Sequence, residues 1–145
     1  MCGIVGFFSP SGFNHTESEN TLLQMRDTLT YRGPDDAGSW LDSDRGIALG
    51  HRRLSIVDLT TAGNQPYISH SGRYVLTFNG EIYNHWELRD QLNSVSSIPW
   101  RGSSDTESLI AAIDHFGLEK ALQISVGMFA LALWDRKDYS LTLAR

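Results

Sequence analysis

The chain has 145 residues and one cysteine, with 12 Lys and Arg against 17 Asp and Glu, for a formal net charge of -5 at pH 7. That length suits one domain burying roughly two-thirds of its unfolded surface; a lone cysteine excludes an intramolecular disulfide, and the mild acidic excess argues against a nucleic-acid partner, which requires a basic patch. With no run of about 18 apolar residues and no basic, apolar leader, the sequence predicts no membrane-spanning helix and a cytoplasmic location.

Residues 2–8, Cys-Gly-Ile-Val-Gly-Phe-Phe, read as a buried strand that Pro10 and Gly12 end. Thr16 and Glu19 have the spacing of a capping box ahead of Leu22, Met25 and Leu29, which share one helical face. Arg32-Gly33-Pro34-Asp35-Asp36 breaks that pattern as a loop, and short strands are expected over 38–42 and 46–51. A long polar stretch from Arg52 to Pro66 follows, and ordered loops of such length are commonly functional. Residues 73–78 predict a strand running into Asn79-Gly80-Glu81, and 84–92 a weakly amphipathic helix. Ser104 and Glu107 form a second capping-box pattern before the stripe Leu109, Ile110, Ile113 and Phe116, with Gly117 placed as a C-cap. Residues 127–134 read as a strand covered on both faces, turning at 135–138 into a returning strand over 139–143. Periodicity therefore predicts antiparallel sheets covered by helices, and no chemistry.

Chemistry enters through Cys2. A lone cysteine is ordinarily a small buried hydrophobe. Removal of Met1 would make it an N-terminal residue carrying both a thiol and, in its own α-amine, a base titrating near 8. A free thiol is only about 3% thiolate at pH 7, so a base at hand matters. Gly3 is read as leaving space for substrate. Acyl transfer to a thiol needs an oxyanion hole. The Asn79 side chain and the Gly80 amide offer two donors, although Asn-Gly alone equally marks a hairpin turn. Arg53 offers a fork for a carboxylate and Asp105 an anion for an ammonium. In isolation these two are a surface charge and a residue placed to meet a helix dipole. His51 and His85 are the histidines considered as partners for Cys2, and sequence alone places neither beside it. No Cys/His cluster has metal-ligand spacing, and no phosphate-binding glycine loop occurs.

Seven stretches occur together: Met-Cys-Gly-Ile-Val-Gly at 1–6, Arg-Gly-Pro-Asp at 32–35, His-Arg-Arg-Leu-Ser-Ile-Val-Asp-Leu at 51–59, Gln-Pro at 65–66, Phe-Asn-Gly-Glu-Ile-Tyr-Asn at 78–84, Ser-Asp-Thr-Glu at 104–107 and Gly-Met-Phe-Ala-Leu-Ala-Leu-Trp-Asp at 127–135. In this order they resemble class II glutamine amidotransferase domains, most closely the N-terminal domain of glutamine-hydrolysing asparagine synthetases. The resemblance covers residues 1–145 and implies an α+β, four-layer αββα N-terminal-nucleophile hydrolase fold with two stacked antiparallel sheets. It assigns Cys2 as nucleophile with its freed amine as base, and Asn79 and Gly80 to the oxyanion. It assigns Arg53 to the substrate carboxylate, Leu54, Ser55, Ile56 and Val57 to the pocket lining, and Glu81 and Asp105 to the α-amino end.

The implied reaction converts L-glutamine to glutamate and ammonia through a γ-glutamyl thioester. The implied partner is a synthetase domain fused C-terminally, where ATP and Mg would act; no cofactor is expected for these residues themselves. A homodimer is an assembly the family allows. The family continues past Leu-Ala-Arg at 143–145 with an Asp-x-x-Gly segment, so the last elements of the fold are expected beyond these residues. Two other readings stand beside this one. One is another class II glutaminase, such as that of glucosamine-6-phosphate synthase or the purine-pathway amidotransferase. The other is a non-catalytic domain that keeps the fold for binding or regulation.

Overall fold

The computed structural model describes residues 2–56 and 58–145. Strands β1 (Gly3–Phe8), β2 (Asp36–Asp42) and β3 (Ile47–Arg53) form one sheet, ordered β1-β3-β2. Strands β4 (Tyr67–Ile68), β5 (Tyr74–Ile82), β6 (Gly127–Asp135) and β7 (Ser140–Ala144) form a second, ordered β4-β5-β6-β7. Every pairing is antiparallel. Helix α1 (His15–Asp27) follows β1; α2 (His85–Val95), α3 (Asp105–Phe116) and α4 (Leu118–Ile124) lie between β5 and β6.

Side-chain alternation along the strands stacks these elements in layers. Ile47 and Leu49 of β3 pack against Val75, Ala132 and Trp134 in the space between the sheets. The opposite face of the second sheet presents Leu76, Phe78, Ile82, Leu131 and Leu133 to Leu88 and Leu92 of α2 and to Leu109, Ile110 and Ile113 of α3. On the outer face of the first sheet, Leu22 of α1 is fully buried, and a Cβ on Gly50 would stand 3.2 Å from its Cδ1. The order is helix, sheet, sheet, helices, the αββα arrangement expected. No helix among the described residues is long and apolar enough to cross a membrane.

Three local readings need correction. Helix α1 is capped two residues earlier than the Thr16–Glu19 box predicts: Asn14 Oδ1 accepts the Glu17 amide at 3.1 Å, and Thr16 and Glu19 lie inside the helix. Ser104 does cap α3, its Oγ accepting the Glu107 amide at 3.2 Å. The reciprocal half of the box is missing, because the Glu107 carboxylate accepts the Arg101 and Gly102 amides at 2.8 and 3.0 Å instead. Asn79-Gly80 is no turn. Strand β5 continues through both residues to Ile82, pairing Asn79 with Ala130 and Gly80 with Phe129. Helix α4 and strand β4 have no counterpart among the predicted elements, whereas Gly117 ends α3 at φ 82° as its position suggested.

Leu109 is fully buried where α3 meets β5. Leu109→Ala should lower unfolding free energy by about 2–5 kcal/mol through lost burial and the cavity left behind, read from the midpoint of urea denaturation at unchanged slope.

Candidate active site

Strand β5 has an edge that its neighbour only begins to cover. Strand β4 pairs with Val75 and Leu76 and no further. Backbone amides alternate in direction along a strand, so Phe78, Gly80 and Ile82 all aim their N–H groups at this edge. Buried amides need partners, and side chains supply two of them. Gln65 Oε1 accepts the Phe78 amide at 2.6 Å, and Asp105 Oδ2 accepts the Ile82 amide at 2.9 Å. Gly80 lies between them, and no side chain among the described residues takes its N–H. A Cβ at Gly80 would fall 2.3 Å from the Met128 carbonyl oxygen and 2.5 Å from Phe129 Cα, so only glycine lets β6 pack this closely. Side chains alternate between the two faces of the sheet, and with Leu76, Phe78 and Ile82 against the helices and Val75 between the sheets, Asn79 falls on the face toward the first sheet.

That sheet delivers Cys2, one residue ahead of β1. The thiol is half-buried and held by one backbone unit: Sγ lies 3.7 Å from the Leu54 carbonyl oxygen and 3.4 Å from the Leu54 amide nitrogen, which donates to it. Arg32 Nε donates to the Cys2 carbonyl at 3.2 Å. Gly3 serves packing rather than substrate access, because a Cβ there would stand 2.9 Å from Leu29 Cβ. Cys2, Asn79 and Gly80 line one cleft open to solvent, together with Arg53, Asp105 and Glu81.

Arg53 is buried at the end of β3. Its Nη1 donates to the Thr60 carbonyl at 2.7 Å and to Asn64 Oδ1 at 2.8 Å, and its Nη2 donates to the Asp58 carbonyl. A guanidinium has five donors, and the Nε–H and one Nη2–H make no hydrogen bond among the described residues. Gly63 fits against this group as only glycine can: its Cβ would lie 2.2 Å from Nη2. The loop from Asp58 to Asn64 is thus a cradle that holds Arg53 by its back. Asp58 ties the cradle to the α3 side of the cleft, its Oδ2 accepting the Ser103 amide at 2.8 Å. Burial opposes the Asp58 charge, but hydrogen bonds from the Thr60 hydroxyl and from the Ser103 and Thr60 amides outweigh it and hold its pKa down to about 2.

At the far side Asp105 is buried, with Oδ1 accepting the Thr106 amide at 2.9 Å and Oδ2 that of Ile82. Burial raises its pKa above the ordinary carboxylate value, and nearby Glu81 adds to the rise, against the pull of the two amides. An arriving cation would relieve both strains, and the carboxylate keeps lone pairs free for it. Glu81 itself is exposed at the rim.

Leu54 and Ile56 line the cleft as expected, but Ser55 does not. It turns to the opposite side of the loop, where its amide donates to Asp35 Oδ2 at 2.8 Å. Val57 lies outside the described residues. Neither histidine pairs with Cys2. His51 is buried and its Nε2 donates to the Phe78 carbonyl at 3.1 Å; burial lowers its pKa to about 4, so the ring is neutral near pH 7. His85 is buried beside Asp105, and burial lowers its pKa as well. Among the described residues no three His, Cys, Asp or Glu side chains converge as metal ligands. Gln65, Asp58 and the bridging role of His51 escaped sequence reasoning. Their one local signal is polar side chains within segments that otherwise supply core and cleft.

Residues 1–145 match the family model described as "Glutamine amidotransferase domain". The whole chain is 38% identical to asparagine synthetase [glutamine-hydrolyzing] 1 of Bacillus subtilis and 36% identical to a putative asparagine synthetase [glutamine-hydrolyzing] of Mycobacterium tuberculosis, spanning 22% and 24% of their lengths. It is also 37% identical to the amidase chyE of Penicillium rubens, spanning 22% of that protein. Among solved structures, the glutamine phosphoribosylpyrophosphate amidotransferase of B. subtilis superposes with a TM-score of 0.63 at 20% identity, over 93% of this chain and 35% of that one. At that identity the likeness speaks for the fold.

The depressed pKa of Asp58 carries a pH signature. A carboxylate whose pKa falls from 3.8 to about 2 on folding contributes stability that is full above the unfolded value and is lost as pH drops toward the folded one. Asp58→Asn should therefore flatten the acid limb of the stability curve between about pH 4 and pH 2, measured by urea titration at stepped pH. An acid limb as steep as wild type would show that the Asp58 charge is not held this way.

Proposed function

This chain belongs to the glutamine amidotransferase domain family, and from that premise we propose that it hydrolyses L-glutamine at Cys2 through a γ-glutamyl thioester and passes the ammonia to an ATP-dependent synthetase domain. The observation that carries this reading is convergence. One cleft gathers a thiol, a strand amide and two arginine N–H groups that have no partner among the described residues, and a buried acid.

In this reading the substrate α-carboxylate meets the Nε–H and Nη2–H of Arg53, and the α-ammonium meets Asp105 with Glu81 beside it. The γ-amide carbon then lies against Cys2 Sγ. Once Met1 is removed, the Cys2 amine accepts the thiol proton and sulfur attacks the amide carbon. The carbonyl oxygen takes the negative charge, facing the Gly80 N–H and the Asn79 side-chain amide. Such donors act on charge that develops only during reaction, which is why they accelerate it. The protonated amine returns its proton to the amide nitrogen as the C–N bond breaks, and ammonia leaves. Water adds to the thioester, the same amine takes its proton, and collapse onto the carbonyl releases glutamate and regenerates the thiol. Leu54 can fix the thiol through its backbone without taking the amine's role as base.

The synthetase partner follows from the relatives, which are glutamine-hydrolysing asparagine synthetases by name and of which this chain spans less than a quarter. Asparagine formation, or amidation of a related carboxylate, would consume the ammonia there. ATP and Mg belong to that second domain, and no residue of this chain is assigned to them.

Glutamate release from L-glutamine tests the reading, run beside intact-mass measurement. Protein lacking Met1 should hydrolyse glutamine, whereas Cys2→Ala and protein retaining Met1 should not; equal release by wild type and Cys2→Ala would refute the assignment. Arg53→Lys keeps a charge but loses the fork. KM for glutamine should rise at least about tenfold, the equivalent of roughly 1.5 kcal/mol for a charge-assisted contact, with a smaller change in kcat. An unchanged KM would remove Arg53 from carboxylate binding.

A further inference from the structure

Resting on the glutaminase reading, we propose that His51 is a positioning residue. By hydrogen-bonding the Phe78 carbonyl across the space between the sheets, it sets the oxyanion donors of β5 against the nucleophile held by the first sheet.

The two halves of the site belong to different sheets. Cys2 precedes β1, and Leu54, which brackets its thiol, follows β3; Asn79 and Gly80 lie in β5. What packs the sheets together is mainly apolar: Ile47, Leu49, Val75, Ala132 and Trp134. Apolar burial is non-directional and permits small slides of one sheet over the other. The polar atoms Thr77 Oγ1 and Trp134 Nε1 are buried in the second sheet and find no protein partner among the described residues. The bond from His51 Nε2 to the Phe78 oxygen, 3.1 Å, is the one side-chain hydrogen bond among the described residues that joins a strand of one sheet to a strand of the other.

Its placement matters as much as its existence. His51 is three residues before Leu54, and its register partner on β1 is Ile4, two residues after Cys2. Its acceptor is the carbonyl of the peptide whose nitrogen belongs to Asn79. Gln65 holds the preceding amide of the same residue, Phe78, at 2.6 Å. Phe78 is thus fixed at both polar atoms, immediately before the two oxyanion residues, and only the His51 contact refers it to the sheet that carries the thiol. A carbonyl only accepts, so the ring proton is on Nε2. His51 makes no hydrogen bond to the Cys2 thiol, whose partners among the described residues are the Leu54 carbonyl and amide.

The test compares two polar replacements. His51→Gln places an amide N–H near the position of Nε2, while His51→Asn is one carbon too short to reach Phe78. Steady-state glutamine hydrolysis is measured for both, beside alkylation of Cys2 by iodoacetamide, a displacement that develops no oxyanion. His51→Gln should keep kcat within about threefold of wild type. His51→Asn should lose about tenfold to a hundredfold in kcat, the scale of a small misplacement of reacting groups, with KM within about threefold in both. Alkylation of Cys2 should proceed at the wild-type rate in both. Equal kcat for the two variants would overturn the proposal, as would alkylation that slows in parallel with kcat, since that would mark general damage to the site. A wild-type protein that alkylates normally but releases no glutamate would instead refute the glutaminase reading on which the proposal rests.

Discussion

Buried backbone amides must be paired, and β4 leaves three amides on the edge of β5 without a strand to pair them: those of buried Phe78 and Ile82, and that of exposed Gly80 between them. Much of the site answers that requirement. Gln65 and Asp105 are buried polar side chains at Phe78 and Ile82, and burial of such groups is costly unless they are hydrogen-bonded. They satisfy the outer two amides and leave the middle one, Gly80, without a side-chain partner among the described residues. The absence of a side chain at Gly80 belongs to the same constraint, since β6 occupies the space that any Cβ would need. A strand edge, ordinarily an aggregation hazard, here lines one side of the cleft.

The charged ends of the cleft are built with comparable redundancy. Arg53 is cradled by the 58–64 loop, Asp58 joins that loop to Ser103, and Ser103 lies two residues before Asp105. The segment ahead of α3 is fixed in turn from below. Arg89 donates to the Gly102 and Ser104 carbonyls at 2.9 and 3.1 Å and lies 3.3 Å from fully buried Glu107. Glu107 accepts the Arg101 and Gly102 amides. A buried ion pair is weak evidence for stability, but this one fixes the loop that spans the distance between the two proposed anchors, Arg53 and Asp105. The anchors are therefore spaced by a continuous hydrogen-bonded path and do not depend on flexible surface side chains.

How much of this was legible in the sequence depends on range. Local rules located β1, β5, β6, the Ser104 cap and the Gly117 stop, because each is encoded by residues a few positions apart. The Thr16–Glu19 box failed where Asn14 offered a better cap outside the pattern. Helix α4 was missed because Gly117 correctly ends one helix and the next begins at once. At the site, residue chemistry singled out Cys2, Asn79, Gly80, Arg53 and Asp105, and family resemblance gave them roles. The fold brings all five to one cleft. Ser55 groups with the lining by its place between Leu54 and Ile56, yet it lies outside the cleft beside Asp35, whose carboxylate accepts its backbone amide. Gln65, Asp58 and His51 were beyond reach as structural partners, since each bonds to a residue 13 to 45 positions away.

The open amide at Gly80 is the centre of this account, and residue-resolved hydrogen exchange across β5 tests it most directly. In the free protein the Phe78 and Ile82 amides should exchange slowly while Gly80 between them exchanges fast. Saturation with L-glutamate, whose γ-carboxylate should occupy the same place as the reacting amide, should slow Gly80 selectively. A Gly80 amide as protected in the free protein as its two neighbours would contradict the account, because no donor would then be waiting in the cleft.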